Sequence, residues 1–339
     1  MANRSRSESV AWKATVLLAT LCSAAARKLQ QGPGVPVSSH RHHPRRTDAH
    51  GANLCSRDAV FKIEDHDVGR EQRGWMGAED FLAIAKSMNE TAQPFVRVHI
   101  DGVPCAVQGC CSASMLIRPG FDSDSDVLSH DLSWYTGFLA RLPWQPQTIL
   151  EGGANMGVAT LALAHMYPMA QIVVVEPEPG NCRLLEINTM TFPNVHVECS
   201  GLWDKDASLG MVEPADGRDW GWMTEEVEEG TPGSLQAVSV QSLLRKYNLA
   251  SFDYIKLDIE GSEWQLFRQD DNLEWLDGVK LMSLEVHHGT NTLPGDEDHM
   301  EAMLRSRGYD MSRHGEYDVW ASQYLHPFLR HKQMAPQPI

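Results

Sequence analysis

From Pro146 onward the chain alternates short β-branched runs with helical ones, and this alternation limits the possible folds more than any other feature. The segments "QTILEG", "QIVVVEP", "NVHVECS", "FDYIKLDIEG" and "VKLMSLEVHH" read as strands. Between the first three lie "MGVATLALAHMY" and "GNCRLLEINTM", whose apolar residues recur at helical spacing. Strands that alternate with helices build βαβ units, so the predicted fold class is α/β, a doubly wound parallel sheet with helices on both faces. Central strands of such a sheet are buried on both sides, which accounts for the unbroken run Ile172-Val173-Val174-Val175. "YDMSRHGEYDVWAS" predicts a terminal hairpin around His314-Gly315. An acidic stretch from Glu213 to Gly233 interrupts the alternation. It is either a solvated loop or a lid, the second reading resting on Trp220 and Trp222, which are costly to leave in water.

Upstream of this body the character of the chain changes twice. Arg4, Arg6 and Lys13 precede the uncharged, mostly apolar stretch Ala14 to Ala26, so residues 1–26 read as a signal peptide or other targeting segment. Residues 27–51 are rich in Pro, Ser, His and Arg with almost no apolar anchors and read as a disordered linker. Residues 52–142 are expected to form a small α+β cap. Its "AEDFLAIAKSM" has helical spacing, "FVRVHIDGV" alternates and then turns at Asp101-Gly102 as a hairpin would, and "DVLSHDLSWYTGFLARL" returns to helical spacing. The main domain spans residues 143–325, and residues 326–339 are a tail.

The first fifty residues carry eight Lys/Arg against two Asp/Glu, and the rest carries 21 against 43. A body this acidic repels phosphate backbones, so nucleic-acid partners are not expected. The expected partner is a small-molecule or glycan acceptor, and no membrane span is expected beyond the N-terminal segment. Removing Cys22 with that segment leaves six cysteines, an even number that suits an oxidising compartment, buried free thiols being the alternative. The expected location is the secretory pathway or an endomembrane lumen; the Arg- and Ser-rich start leaves a plastid or mitochondrion as the alternative. The Asn89 sequon matters only on the secretory reading.

Ligands of doubly wound sheets bind outside the carboxyl ends of the strands, where strand order reverses. The first strand of the body leads there into "ILEGGANMG", Ile149 to Gly157. A dinucleotide turn needs G-x-G-x-x-G; with Gly152 and Gly157 as its ends, Ala154 stands where the second glycine must let a pyrophosphate approach. A P-loop needs Gly-Lys-Ser/Thr, and no Lys follows. The remaining pattern, Glu151, Gly153, Asn155 and Gly157, suits S-adenosylmethionine, with Glu151 reaching the sulfonium-bearing amino acid and the two glycines closing backbone on the ligand. Glu176 ends the next strand, 25 residues on, where its carboxylate can accept both ribose hydroxyls. Asn181 is expected beside the adenosine.

The strand "FDYIKLDIEGSEW" ends in Asp258 and Glu260, with Glu263 in the first turn of the next helix and Lys256 within the strand beside a neighbouring acid. Asp258 and Glu260, converging beside a cationic methyl donor, are candidates to deprotonate a hydroxyl or to hold a divalent metal. A structural ion-pair network is the other reading of the same residues. "LMSLEVHH" ends in Glu285, His287 and His288, and Glu285 with His287 completes the candidate catalytic set, the histidine as base.

In their order, "EGGANMG", "VEPEPGN", "VSVQSLLRKYNLASFDYIKLDIEGSE" and "LMSLEVHH" resemble the FkbM family of methyltransferases over about residues 146–320. That resemblance implies a Rossmann-like seven-stranded, mostly parallel sheet with an antiparallel last strand. It implies S-adenosylmethionine as cofactor and methyl transfer, commonly onto a hydroxyl of a sugar or natural product. Glu151 departs from the family, which usually has Asp there. An NAD(P)-dependent Rossmann oxidoreductase and a catalytically inactive methyltransferase-like binding protein are the competing readings.

Overall fold

The computed structural model describes residues 60–64, 79, 95–105, 109–118, 123–129, 132, 144–214, 220–268, 273–287, 292–314, 317–323 and 325. The targeting segment, the linker, Asn89, His288, Gly315, the 326–339 tail and all of "AEDFLAIAKSM" except Glu79 lie outside these residues.

The main sheet has seven strands: β4 (Thr148–Gly152), β5 (Gln171–Val175), β6 (Val195–Glu198), β11 (Tyr254–Leu257), β12 (Leu281–Glu285), β13 (Tyr309–His314) and β14 (Tyr317–Ser322). Their spatial order is β13-β14-β12-β11-β4-β5-β6. Pairs from β12 to β6 are parallel, whereas β14 runs antiparallel to both neighbours, as the resemblance implied. Strand order reverses between β4 and β11, so a crevice opens at their carboxyl ends. Successive residues of β5 enter opposite cores. Val173 and Val175 pack with Leu150, Ile255 and Leu257, while Ile172 and Val174 pack with Ile149 and Tyr254. This two-sided burial is why the strand needs no polar alternation.

Helices α1 (Val158–Met166), α2 (Pro179–Thr189), α3 (Val240–Lys246), α4 (Glu263–Phe267) and α5 (Asp296–Ser306) complete the body. Local chemistry sets their starts. Pro179 opens α2 after Glu178, whose side chain accepts from Asn181 N at 2.5 Å, and Ser239 caps α3 by accepting from Ser242 N at 3.2 Å.

Two features depart from expectation. In the N-terminal region β1 (Val60–Glu64), β2 (Val96–Cys105) and β3 (Gly109–Ile117) form an antiparallel sheet. Asp101-Gly102 does not turn the chain. It makes a bulge within β2, with Gly102 at φ 113, and the strand continues to Cys105. The second departure is a four-stranded sheet, β7-β10-β8-β9, built from β7 (Gly201–Trp203), β8 (Ser208–Val212), β9 (Met223–Glu226) and β10 (Leu235–Ser239). The stretch read as a loop or lid thus contains strand β9, which pairs with β8 immediately before the stretch. Cys105–Cys111 and Cys182–Cys199 are disulfides, the second tying α2 to the end of β6.

The N-terminal sheet shares a core with the body rather than standing apart. Phe61, Val98, Ile100 and Met115 pack with Val158, Leu161 and Leu184. Asn188 of α2 fastens the join. Its side chain accepts from Leu116 N at 2.7 Å and donates to Leu116 O at 3.1 Å and Met156 O at 2.9 Å. Asn188→Ala leaves these buried backbone groups without partners and is expected to cost about 2–4 kcal/mol. Urea unfolding checks this: the midpoint should fall with an unchanged slope, and a change below about 0.5 kcal/mol would refute the role.

Candidate functional site

A cavity of about 790 Å³ opens at the reversal point, within the roughly 300–1,000 Å³ usual for small-molecule sites. Its floor is the turn after β4. Gly153 has φ 73, and a Cβ there would stand 1.6 Å from the Asp258 carbonyl oxygen, so no other residue fits. Gly153 N and Ala154 N donate to Val175 O at 3.0 and 3.2 Å, locking the turn to the end of β5. Asn155, also left-handed at φ 49, lines the cavity and turns its N–H onto Glu176 Oε2 at 2.8 Å. Glu176 Oε1 accepts from Glu178 N at 2.9 Å. Each carboxylate oxygen keeps acceptor capacity for a further donor. Burial pushes the Glu176 carboxyl up to about 7, against the opposing pull of those two backbone N–H groups.

Asn181 lines the same end, and its Oδ1 accepts from Arg118 Nη2 at 2.7 Å. Arg118 is itself gripped by Asp124, which is 1 % exposed, with Nη2 to Oδ1 at 2.6 Å. This pair escaped the sequence reading because its partners lie 6 and 63 residues apart in the chain. The helical residues 123–129 also bring Asp126, Val127 and Ser129 to the wall.

Two expected cofactor contacts take other roles. Glu151 does not line the cavity. It is fully buried, accepts from Thr160 Oγ1 of α1 at 2.8 Å and lies 4.0 Å from Lys256 Nζ, because strand alternation points it beneath the turn. Gly157 is likewise outside the wall. It caps α1 at φ 97, and a Cβ there would lie 2.8 Å from Leu185 Cδ1, so it serves the approach of α1 to α2. Gly152 also packs, its absent Cβ leaving room for Leu202 Cδ2 at 2.9 Å.

At the other end the strands β11 and β12 bring Asp258, Glu260, Glu285 and His287 together on the wall. Lys256, almost fully buried, reaches Asp258 Oδ2 at 3.2 Å and Gly153 O at 3.5 Å, which fulfils its predicted pairing with an acid. Burial raises the Asp258 carboxyl, Lys256 partly offsetting it. Glu260 sits at φ 53, a strained conformation for a residue with a side chain, and burial pushes its carboxyl up to about 7. Glu263 is fully buried and accepts from Ile259 N at 2.8 Å and Gly261 N at 2.9 Å, shaping the loop that presents Glu260.

His287 is not poised as a base. Its Nδ1 lies 3.5 Å from Glu263 Oε1, and its Nε2 lies 3.5 Å from Glu285 Oε1 and 3.9 Å from Glu260 Oε2. Burial works against its charge, but Glu263, Glu285 and Glu260 override that and push it up to about 11. The imidazole is therefore a cation at neutral pH. Burial also works against the Glu285 charge, yet His287, Lys256 and Tyr317 hold that carboxyl below its usual range. Asp258, Glu260 and His287 each offer an atom within 4.8 Å of the others, so the pair expected to hold a metal gains a third potential ligand. A metal bound through the imidazole would have to displace its proton.

Trp220, Trp222 and Met223 close the cavity from the β8–β9 side. Among the described residues no helix is long and apolar enough to cross a membrane.

The family model described as "Methyltransferase FkbM domain" matches residues 151–311. "Methyltransferase sdnD" of Sordaria araneosa is 26% identical over 215 residues, covering 52% of this chain and 78% of that one. Among solved structures, precorrin-6y C5,15-methyltransferase from Geobacter metallireducens GS-15 shares 12% identity at a TM-score of 0.33, covering 57% of this chain and 88% of that one. Fibrillarin from Aeropyrum pernix, with natively bound S-adenosyl-L-methionine, shares 10% identity at a TM-score of 0.36, covering 67% of this chain and 93% of that one. With a glycine turn that has neither the dinucleotide spacing nor a P-loop lysine, and a match to an FkbM methyltransferase domain over residues 151–311, which span both ends of the cavity, the chain is an S-adenosylmethionine-dependent methyltransferase.

Proposed function

We propose that the enzyme methylates a hydroxyl oxygen of a sugar or small natural product. The observation that carries this reading is Glu260, a carboxyl tuned to about 7 and presented to the cavity beside Asp258 and Glu285. A general base works best with a pKa near the working pH, and a hydroxyl must lose its proton as it attacks. The residues that fit the cofactor are Gly153 and Asn155 under its amino-acid part, Glu176 on the ribose hydroxyls and Asn181 beside the adenosine. When bound, S-adenosylmethionine supplies an electrophilic methyl on a sulfonium. With the methyl supplied in that way and sulfur as its leaving group, Glu260 would take the proton of the acceptor hydroxyl as that oxygen attacks, and Asp258 and Glu285 would orient the hydroxyl beside it. Lys256 and His287 hold Asp258 and Glu285 in place, and most of the acceleration comes from positioning.

Glu260→Gln is expected to lower kcat by a factor of 10²–10⁴ while S-adenosylhomocysteine affinity stays within about threefold. Turnover that survives this change would remove Glu260 as the base. The second reading, a divalent ion at Asp258, Glu260 and His287, is favoured by their 4.8 Å convergence. Turnover unchanged by a chelator would exclude it.

The Glu176 carboxylate accepts best when ionised, and its pKa of about 7 places its titration in the working range. Because that pKa is raised, the ionised acceptor is present above about pH 8 and is lost as pH falls through 7. S-adenosylhomocysteine should bind roughly tenfold more weakly at pH 6 than at pH 8. Calorimetry across that range checks this, and Glu176→Gln should flatten the profile; a steep profile in the variant would refute it.

The same proposal extends to place. The two disulfides support a secretory or endomembrane lumen, since such bonds persist in oxidising compartments. A C-terminally tagged copy should coincide with an endomembrane marker; plastid, mitochondrial or cytosolic signal would overturn this.

A further inference from the structure

Resting on the reading of Glu176 as the acceptor for the ribose hydroxyls, we propose that Arg118 is a positioning residue for the cofactor. It fixes the side-chain amide of Asn181 with its NH₂ end toward the Glu176 carboxylate, so the ribose contact depends on a residue upstream of the methyltransferase domain.

Arg118 directly follows β3 and precedes residues 151–311, the span matched by the family model. Its Nη2 donates to Asn181 Oδ1 at 2.7 Å. The two ends of an amide have nearly the same shape, so only partners that tell oxygen from nitrogen set its orientation. A guanidinium does so because it donates and never accepts. With Oδ1 engaged by Arg118, the amide donors are left for its other partner, Glu176. Burial raises that carboxyl, while the Glu178 and Asn155 N–H groups and a hydrogen bond from the Asn181 side chain draw it back down. In the reversed orientation the amide oxygen would face a carboxylate oxygen, two acceptors with no proton between them. The carboxylate would then be pushed from the direction that the Asn155 and Glu178 N–H groups give it, at 2.8 and 2.9 Å.

Arg118 is itself fixed. Asp124, 1 % exposed, takes Nη2 at 2.6 Å and Nε at 3.1 Å, and also accepts from Arg118 N at 2.7 Å. Nor is Arg118 needed to place the helix that carries Asn181. Asn181 N is capped by Glu178 Oε2 at 2.5 Å, and Asn188, about two turns along the same face of α2, already fastens that helix to Leu116. What remains for the Arg118 contact is the rotation of one amide. The cofactor end therefore has a support that the domain from residue 151 onward does not contain.

The test compares S-adenosylhomocysteine with its 2′,3′-dideoxy analogue by calorimetry on the full chain, at about pH 8.5, where Glu176 is ionised. The unaltered protein should bind the hydroxylated ligand about thirtyfold more tightly, as expected for hydrogen bonds to a charged acceptor. Arg118→Met alone would leave Asp124 buried without its cation, so it is combined with Asp124→Asn. The second variant, Asn181→Asp, keeps an oxygen for Arg118 but offers Glu176 only acceptors. In both, the preference for the hydroxylated ligand should fall at least about fivefold while affinity for the dideoxy analogue stays within about threefold. If the double variant does not fold, Asn181→Asp decides alone. Both ligands weakened alike, or a preference that survives in Asn181→Asp, would overturn the proposal and leave Glu176 as the ribose acceptor. An unaltered protein that bound the two ligands equally would remove the ribose contact of Glu176, and this proposal with it.

Discussion

The whole site hangs on one close approach, that of Gly153 to the carbonyl of Asp258. A Cβ at Gly153 would lie 1.6 Å from that oxygen, a separation no side chain tolerates. This contact brings the turn after β4 against the end of β11, across the point where strand order reverses. In the proposed reading the turn supplies the cofactor end of the cavity and β11 the acceptor end. Beneath the contact lies the buried Lys256, in register with Glu151 and within reach of Asp258 and the Gly153 carbonyl. A buried ammonium is stable only when paired and hydrogen-bonded, so Lys256 cements the two strand ends from below. Glu151 belongs to this foundation rather than to the ligand surface.

Electrostatics then divides the labour between similar side chains. Glu176 and Glu260 are both carboxyls raised to about 7 by burial, yet their neighbours differ. Glu176 sits between two backbone N–H groups, of Asn155 and Glu178, that fix the direction of its oxygens. Glu260 sits on a left-handed loop with other carboxylates around it, an environment that suits uptake of a proton or pairing with a cation. The His287 imidazolium holds that group together and is thereby removed as a base.

Two sheets outside the main one finish the enclosure. The N-terminal sheet packs onto α1 and α2 through a shared apolar core and through Asn188, and the Arg118–Asp124 pair that follows it holds Asn181 at the cavity rim. The β7–β10 sheet carries the two tryptophans to the opposite wall. The cavity wall therefore includes residues far from the glycine turn in sequence.

The sequence by itself determined the parallel sheet, because two-sided burial leaves unbroken apolar runs and the flanking helices leave 3.6-residue spacing. It also located the ends of β4, β5, β11 and β12, since carboxylates and glycines interrupt those runs there. Eight of the proposed site positions, from Gly153 to His287, meet at one cavity for that reason. Only the tertiary structure decided which of them face it. Strand alternation turned Glu151 inward, and helix packing claimed Gly157. Long-range pairings also stayed hidden, because Asn188 with Leu116 and Arg118 with Asn181 join segments with no common periodicity. The protonation of His287 was the least legible feature: an imidazole's charge is set by the summed field of its neighbours, and Glu260, Glu263 and Glu285 surround it only once the sheet has formed.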